Sequence, residues 1–260
     1  MLDPGHFGAV ERALGDPPTL RAVVAGIRGE LNPHPGDQLT RNIPHHEGAE
    51  LSGVQHKYAQ TALVGAASVY SRAMAAAGMV GWAMTSAASR VAPCHGRTPL
   101  FGTNPISVAA GTDGKEFALD IATSQVCQGE IQERGRLGLP LEPGWATDAR
   151  GHGTRDASAA VALSPLGASG AGHKGQGHKG QSYTGQGHKG QGLAMAVTLM
   201  TAVLADAPLD WELDHIGQSP DGRGRRVAHF LLCLDPAAFA GPDPFRRRLA
   251  GLVATTRRAP

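Results

Sequence analysis

The sequence Gly-His-Lys-Gly-Gln occurs three times between residues 172 and 192, beginning at Gly172, Gly177 and Gly187, and the third copy runs straight into Leu193-Ala-Met-Ala-Val-Thr-Leu-Met-Thr-Ala-Val-Leu204. That junction constrains the chain more than any other segment. A glycine-rich turn with a cation and an imidazole, feeding a helix, suits an anionic ligand, because the first-turn N–H groups lack partners and the helix dipole is positive there. Helical spacing predicts Leu193, Ala196, Val197, Met200, Val203 and Leu204 on one packed face. The ligand end is then Gly187 to Gly192, with His188, Lys189 and Gly190 as its candidate contacts.

The repeats also satisfy Gly-x-Gly-x-x-Gly at Gly175, Gly177, Gly180 and again at Gly185, Gly187, Gly190. A Rossmann fingerprint needs a buried strand just before it and an acidic residue about 20 positions later. Gln181-Ser-Tyr-Thr184 is polar and short, so that reading is rejected even though Asp206 or Asp210 could supply the acid. Gly, Ser and Gln bury too little apolar area to order a loop, so the first two copies read as a surface insertion near 172–187. Only the third copy carries a functional expectation.

With 260 residues, 41% of them hydrophobic, the chain can bury a real core. A net charge of +2 implies neither nucleic acid nor an anionic membrane. At the C-terminal end Arg246-Arg-Arg248 and Arg257-Arg258 flank an apolar stripe of Phe245, Leu249, Leu252 and Val253, which reads as a helix with a solvated cationic face. Cys94, Cys127 and Cys233 lie far apart without Cys-x-x-Cys spacing, which favours neither a zinc site nor a disulfide framework and fits a reducing cytoplasm. No apolar run approaches the roughly 18 residues of a membrane span, and the start lacks the pattern of a signal peptide.

Residues 1–57 are broken by prolines and form a poorly defined N-terminal segment with one helix near Leu20 to Gly29; residues 58–260 are expected to form one domain. A helix ends at Gly78, after Ala66, Ala67, Tyr70, Ala73, Met74 and Ala77 at helical spacing. Val80–Met84, Ile106–Ala109, Glu116–Ile121 and Val227–Leu234 read as strands. Mixed with helices, they predict an α/β or α+β sheet domain. Leu100-Phe-Gly-Thr-Asn-Pro-Ile106 could bind or merely turn. Asp120 sits in an apolar strand ahead of Thr123 and Ser124, where burial would favour its protonated form or demand backbone N–H partners. Trp145 is expected to anchor the Pro- and Gly-rich connector around it.

The order of these segments resembles the malate/L-lactate dehydrogenase family of the second, non-Rossmann type. The resemblance rests on Ala77-Gly-Met-Val-Gly-Trp-Ala-Met-Thr85, Ala92-Pro93, Phe101-Gly-Thr-Asn-Pro105, Phe117-Ala-Leu-Asp-Ile-Ala-Thr-Ser124, Leu139-Pro-Leu-Glu-Pro-Gly-Trp-Ala-Thr-Asp148, the Gly-His-Lys-Gly turn and His229-Phe-Leu-Leu-Cys-Leu-Asp-Pro236. It implies a mainly antiparallel sheet surrounded by helices that binds NADH or NADPH without a Rossmann unit, in a homodimer. It implies cofactor contacts from Ile121, Thr123, Ser124, His188 and Lys189, and matches Asp120 to a proposed catalytic acid of the imine-reducing branch. Thr85, Thr103, Asn104 and Gly190 join the cofactor-binding candidates. Where members carry His-Phe-Gly, this chain has Leu63-Val64-Gly65; its only His-Phe-Gly is His6-Phe7-Gly8, and it has no Ser-His-Gly.

The expected function is an NAD(P)H-dependent oxidoreductase that reduces a small 2-keto acid or cyclic 2-imino acid, or oxidises a 2-hydroxy acid. Lys189 and its helix would hold an anionic group of the cofactor, and Asp120 would give or orient the proton. Arg41 or Arg90 would meet the substrate carboxylate. The alternative is a catalytically inactive or truncated relative that keeps the fold. A metal-binding surface on the repeat histidines lacks carboxylates or thiolates at fixed spacing, so no metal ligand is assigned.

Overall fold

The computed structural model describes the backbone of residues 54–61 and, in full, residues 66–111, 116–168, 187–215 and 226–259. The helix expected near Leu20, Arg41, Leu63 and the first two glycine-rich copies lie outside these. The described residues form two compact units. One holds those up to Thr85, those within Ile106–Asp120 and those from Ser219 onward; the other holds those within Ser86–Pro105 and Ile121–Gln218.

The first unit is built on an antiparallel sheet. Its strands are β1 (Val54–Thr61), β2 (Val80–Thr85), β3 (Ile106–Ala110), β4 (Phe117–Ile121, at the unit boundary) and, late in the chain, β8 (Val227–Leu234). The spatial order is β1-β8-β2-β3-β4. β2 runs antiparallel to β8 with Thr85 opposite His229, and to β3 with Ala83 opposite Ser107. Because side chains alternate across a strand, Gly81, Ala83 and Thr85 share a face with His229, Leu231 and Cys233. Helix α1 (Ser68–Ala76) covers that face, burying Tyr70 and Met74 against Ala83 and Leu231. The approach is close enough that a Cβ on Gly81 would strike the Ser71 carbonyl and Met74, so only glycine fits. The chain leaves the helix at Gly78, in the left-handed region at φ +83, where sequence placed the stop.

The second unit holds α2 (Gln128–Arg136), the short strands β5 (Ala146–Thr147), β6 (Gly153–Thr154) and β7 (Ala162–Leu163) in the order β6-β5-β7, and α3 (His188–Thr198). Its core gathers Val91, Phe101, Ile131, Leu141, Ala146, Leu163 and Ala194, with half-buried Trp145 packed on it. Arg134 stacks 4.8 Å from the Trp145 ring and pairs with Glu130 and Glu142, which anchors the connector. Back in the first unit, α4 (Pro242–Arg258) has no buried residue: its arginines are exposed, and so is Leu252 of the apolar stripe.

α3 corrects one expectation. The face that packs is Gly190, Ala194, Val197 and Thr198, continued by Thr201 and Ala202 within a π-helical turn at Leu199–Val203 and by Ala205 after it. Of the residues expected inside, Leu193, Val203 and Leu204 are exposed. Small side chains let this helix sit close to its unit, and the large apolar ones point outward.

Candidate functional site

α3 begins at His188 with Gly187 in the cap position, a residue with no side chain to cap it. Its first turn is held by backbone: the Gly190 N–H donates to Leu166 O at 3.0 Å, and a Cβ at Gly190 would collide with Leu166 N and with the carbonyls of Leu166 and Thr123. This glycine is the point where α3 docks on residues 123 and 166. His188 and Lys189 are exposed on the same turn. A helix start with glycine in its cap position and an ammonium on its first turn are features that favour anions.

The candidates at 103, 123 and 124 are tied to that turn. Thr103 O accepts both the N–H (2.8 Å) and the hydroxyl (3.1 Å) of Thr123, whose own carbonyl accepts from Leu166 N–H at 2.9 Å. Ser124 donates to Val126 O at 2.7 Å and bridges to Pro165. Both hydroxyls are buried, so they fix the shape of the turn. Ile121 is half-buried at its start.

Asn104 lies deeper than the sequence suggested. It has no solvent exposure; its Oδ1 accepts from Ala87 N–H at 3.0 Å, and its Nδ2 donates to Asp210 Oδ2 at 2.7 Å and lies within bonding range of Thr198 Oγ1 and Ala194 O. Both ends of the amide are engaged inside the unit. Asp210, equally buried, was visible in sequence only as a rejected Rossmann acid; its place between Leu209 and Trp211 was the available signal.

Two candidates belong to the sheet unit. Thr85 lies 2.6 Å from Nδ1 of His229 and 3.3 Å from Ala228 O. His229 is buried, and burial drives its pKa down to about 3, so the ring is neutral at ordinary pH. An imidazole inside the apolar run Val227–Leu234 was the missed clue. Together with Tyr70, Met84 and Leu231, this pair lines a small apolar cleft. Asp120 corrects the second expectation: β4 is the last strand in the sheet order and Asp120 is exposed, not buried. Its Oδ2 accepts the Ser68 N–H at 2.9 Å, at the start of α1. The carboxylate does take a backbone N–H, as the structural alternative required.

Among the described residues no group of three His, Cys, Asp or Glu side chains is placed to hold a metal ion. The architecture defines a class: a dehydrogenase-like fold with an antiparallel sheet and a Gly-His-Lys-Gly helix start in place of a Rossmann unit. The chain belongs to the malate/L-lactate dehydrogenase family, whose model matches residues 56–260. It is 32% identical over 168 residues to a (2R)-3-sulfolactate dehydrogenase (NADP(+)) of Chromohalobacter salexigens, covering 64% of this chain and 45% of that protein. It is 48% identical over 90 residues to a Δ1-pyrroline-2-carboxylate/Δ1-piperideine-2-carboxylate reductase of Pseudomonas aeruginosa, covering 34% of this chain and 27% of the relative. Among solved structures, the Δ1-piperideine-2-carboxylate reductase of Pseudomonas syringae pv. tomato superposes with a TM-score of 0.65 at 28% identity, over 79% of this chain and 57% of that one. The chain therefore spans less than half the length of these two sequence relatives.

Proposed function

We propose that this chain carries the nicotinamide-binding part of an oxidoreductase that reduces a small 2-keto acid or cyclic 2-imino acid, or oxidises a 2-hydroxy acid. The observation that carries the reading is the start of α3, with glycine in its cap position, fixed by Gly190 and bearing Lys189. The substrate class is supported by the names of the relatives, which share a small carboxylate with a reactive C2.

When bound, NADH or NADPH supplies the hydride. Lys189 and the positive end of α3 hold an anionic group of the cofactor, with His188 on the same turn. Thr103, Thr123 and Ser124 keep the neighbouring turn rigid, Asn104 acts by fixing residue 103, and Ile121 offers an apolar surface. Thr85 acts with its ring partner His229. Asp120, one oxygen anchored by Ser68, supplies or orients the proton that accompanies hydride transfer. The uncovered apolar side of α3, with Leu193, Met195, Leu199 and Val203, supports a homodimer. Three free cysteines suit a reducing cytoplasm, and no helix among the described residues is long and apolar enough to cross a membrane.

Nicotinamide fluorescence during titration with NADH and NADPH tests the reading. Binding of one cofactor is expected, together with turnover of a 2-keto or cyclic 2-imino acid that falls about 100-fold in Asp120→Asn at unchanged cofactor affinity. Binding without turnover would establish the inactive alternative, and failure to bind either cofactor would overturn both.

A further inference from the structure

We infer that Asp210 keeps its proton at a pH where an ordinary aspartate has lost it, and that this neutral acid is the positioning group that locks the turn at residues 101–105 onto α3. The positioning half rests on the cofactor reading above. Asp210 has no solvent exposure. Its Oδ2 faces three donors: Gly102 N–H at 2.9 Å, Asn104 Nδ2 at 2.7 Å and Thr198 Oγ1 at 3.1 Å. Its Oδ1 is buried with no partner at all.

That asymmetry decides the protonation state. A carboxylate spreads its charge equally over both oxygens, so ionisation would leave half of it on a buried Oδ1 without a hydrogen-bond partner. The acid form fits better. As a carbonyl, Oδ2 has two lone pairs, which the Gly102 and Asn104 donors fill; the Thr198 hydroxyl has a second acceptor in Ala194 O at 3.0 Å. The proton then sits on Oδ1, and an uncharged O–H without an acceptor is easier to bury than unpaired charge. Burial pushes this carboxyl up, more strongly than its hydrogen bonds pull it down. The charged groups on the surrounding segments are Arg90, His188, Lys189, Asp206, Glu212 and Asp214; none contributes to that balance.

The same carboxyl organises the turn. Asn104, at φ +33, is held by Asp210 at one end and Ala87 N–H at the other, and Asp210 O accepts from Ser89 N–H at 2.9 Å. A Cβ on Gly102 would strike the Ala87 carbonyl, so this segment has one way to pack. Between the two anchored residues lies Thr103, whose carbonyl receives both donors of Thr123. Asp210 touches no reacting atom and acts through Asn104.

Denaturation of the wild type and Asp210→Asn from pH 4 to 7 reads the proton. A folded-state pKa above the unfolded one, which is about 3.9 for an aspartate, means the native state binds more protons in that window. Wild-type stability relative to Asp210→Asn should therefore fall as pH rises through the folded value and level off above it. A relative stability that climbs with pH would overturn the inference. Should Asp210→Asn not fold, ¹³C NMR of the aspartate side-chain carboxyls in the wild type decides: one carbon titrating above about pH 5 supports the proton, and every one titrating below it refutes it. For positioning, Asp210→Ala should raise the NADH or NADPH Kd about tenfold or more while Asp210→Asn restores it to within about threefold; equal affinity in wild type and Asp210→Ala would sink that half. If the wild type binds neither cofactor, the proposed function falls, while the pH and NMR measurements still settle the proton.

Discussion

α1 and α3 meet the same electrostatic problem and answer it differently. Each helix begins with N–H groups that lack intrahelical partners and with the positive end of its dipole. At α1, neither Ala67 nor any other local side chain caps the start, and Asp120 arrives from β4, 52 residues away, to accept the Ser68 N–H. At α3 the cap position is Gly187, which has no side chain to offer, and the first turn is fixed in place by Gly190 and carries Lys189. A helix start closed by the protein's own carboxylate is first of all a structural joint. One that is rigid and cationic, with glycine at its cap, has the character that the proposed cofactor contact requires.

The largest expected effect tests the rigidity of α3. Alanine is worth roughly 1 kcal/mol more than glycine inside a helix, so propensity alone predicts that Gly190→Ala is stabilising. The added Cβ, however, would lie 2.7 Å from the carbonyls of both Leu166 and Thr123. Those are backbone atoms that cannot swing away, so a net loss of about 2 kcal/mol is expected, in the range of an overpacked core. A denaturation midpoint unchanged or raised in Gly190→Ala would show that α3 docks loosely, and the contrast between the two helices would lose its basis.

Comparable in size is the effect of the charge on the first turn of α3. Removing a charge-assisted phosphate contact costs about 1.5 to 3 kcal/mol, so Lys189→Ala should weaken NADH or NADPH binding by roughly tenfold or more. Its stability should stay within about 0.5 kcal/mol of the wild type, as for an exposed side chain. The affinity difference should shrink as salt is added. Equal affinity in the two proteins would remove Lys189 from the site.

Where the sequence was legible, local chemistry decided the outcome. β2, β3, β4 and β8 follow their apolar runs, Gly78 stops α1 because the chain turns left-handed there, and the Gly-His-Lys-Gly turn starts α3. The buried face of α3 was not legible. Residues 193–204 are apolar nearly all round, so the 3.6-residue period has no polar side to mark the exterior. Ala194, Thr198 and Ala202 then win the interior because small side chains permit the Gly190 approach, and Leu199 and Val203 are turned out. β4 failed for a related reason: an apolar run gives no sign of being the last strand of a sheet. Asn104 and Asp210 are separated by 106 positions, and nothing local in either announces the other.

The smallest expected effect sharpens the comparison from the side of α1. An acceptor at a helix start contributes about 1 kcal/mol, partly through its hydrogen bond and partly through its charge on the dipole. Asp120→Ala removes both and should lower stability by about that much, whereas Asp120→Asn keeps an acceptor within reach of Ser68 and should recover roughly half of it. Asp120 can be a joint and a proton donor at once, and the two roles separate cleanly in this pair. If Asp120→Asn keeps most of the stability but loses turnover, the carboxyl has a chemical role beyond its cap. If Asp120→Ala is as stable as the wild type, the Ser68 contact carries no weight, and the claim that α1 is closed by its own acid fails while the glycine-capped start of α3 stands on its own tests.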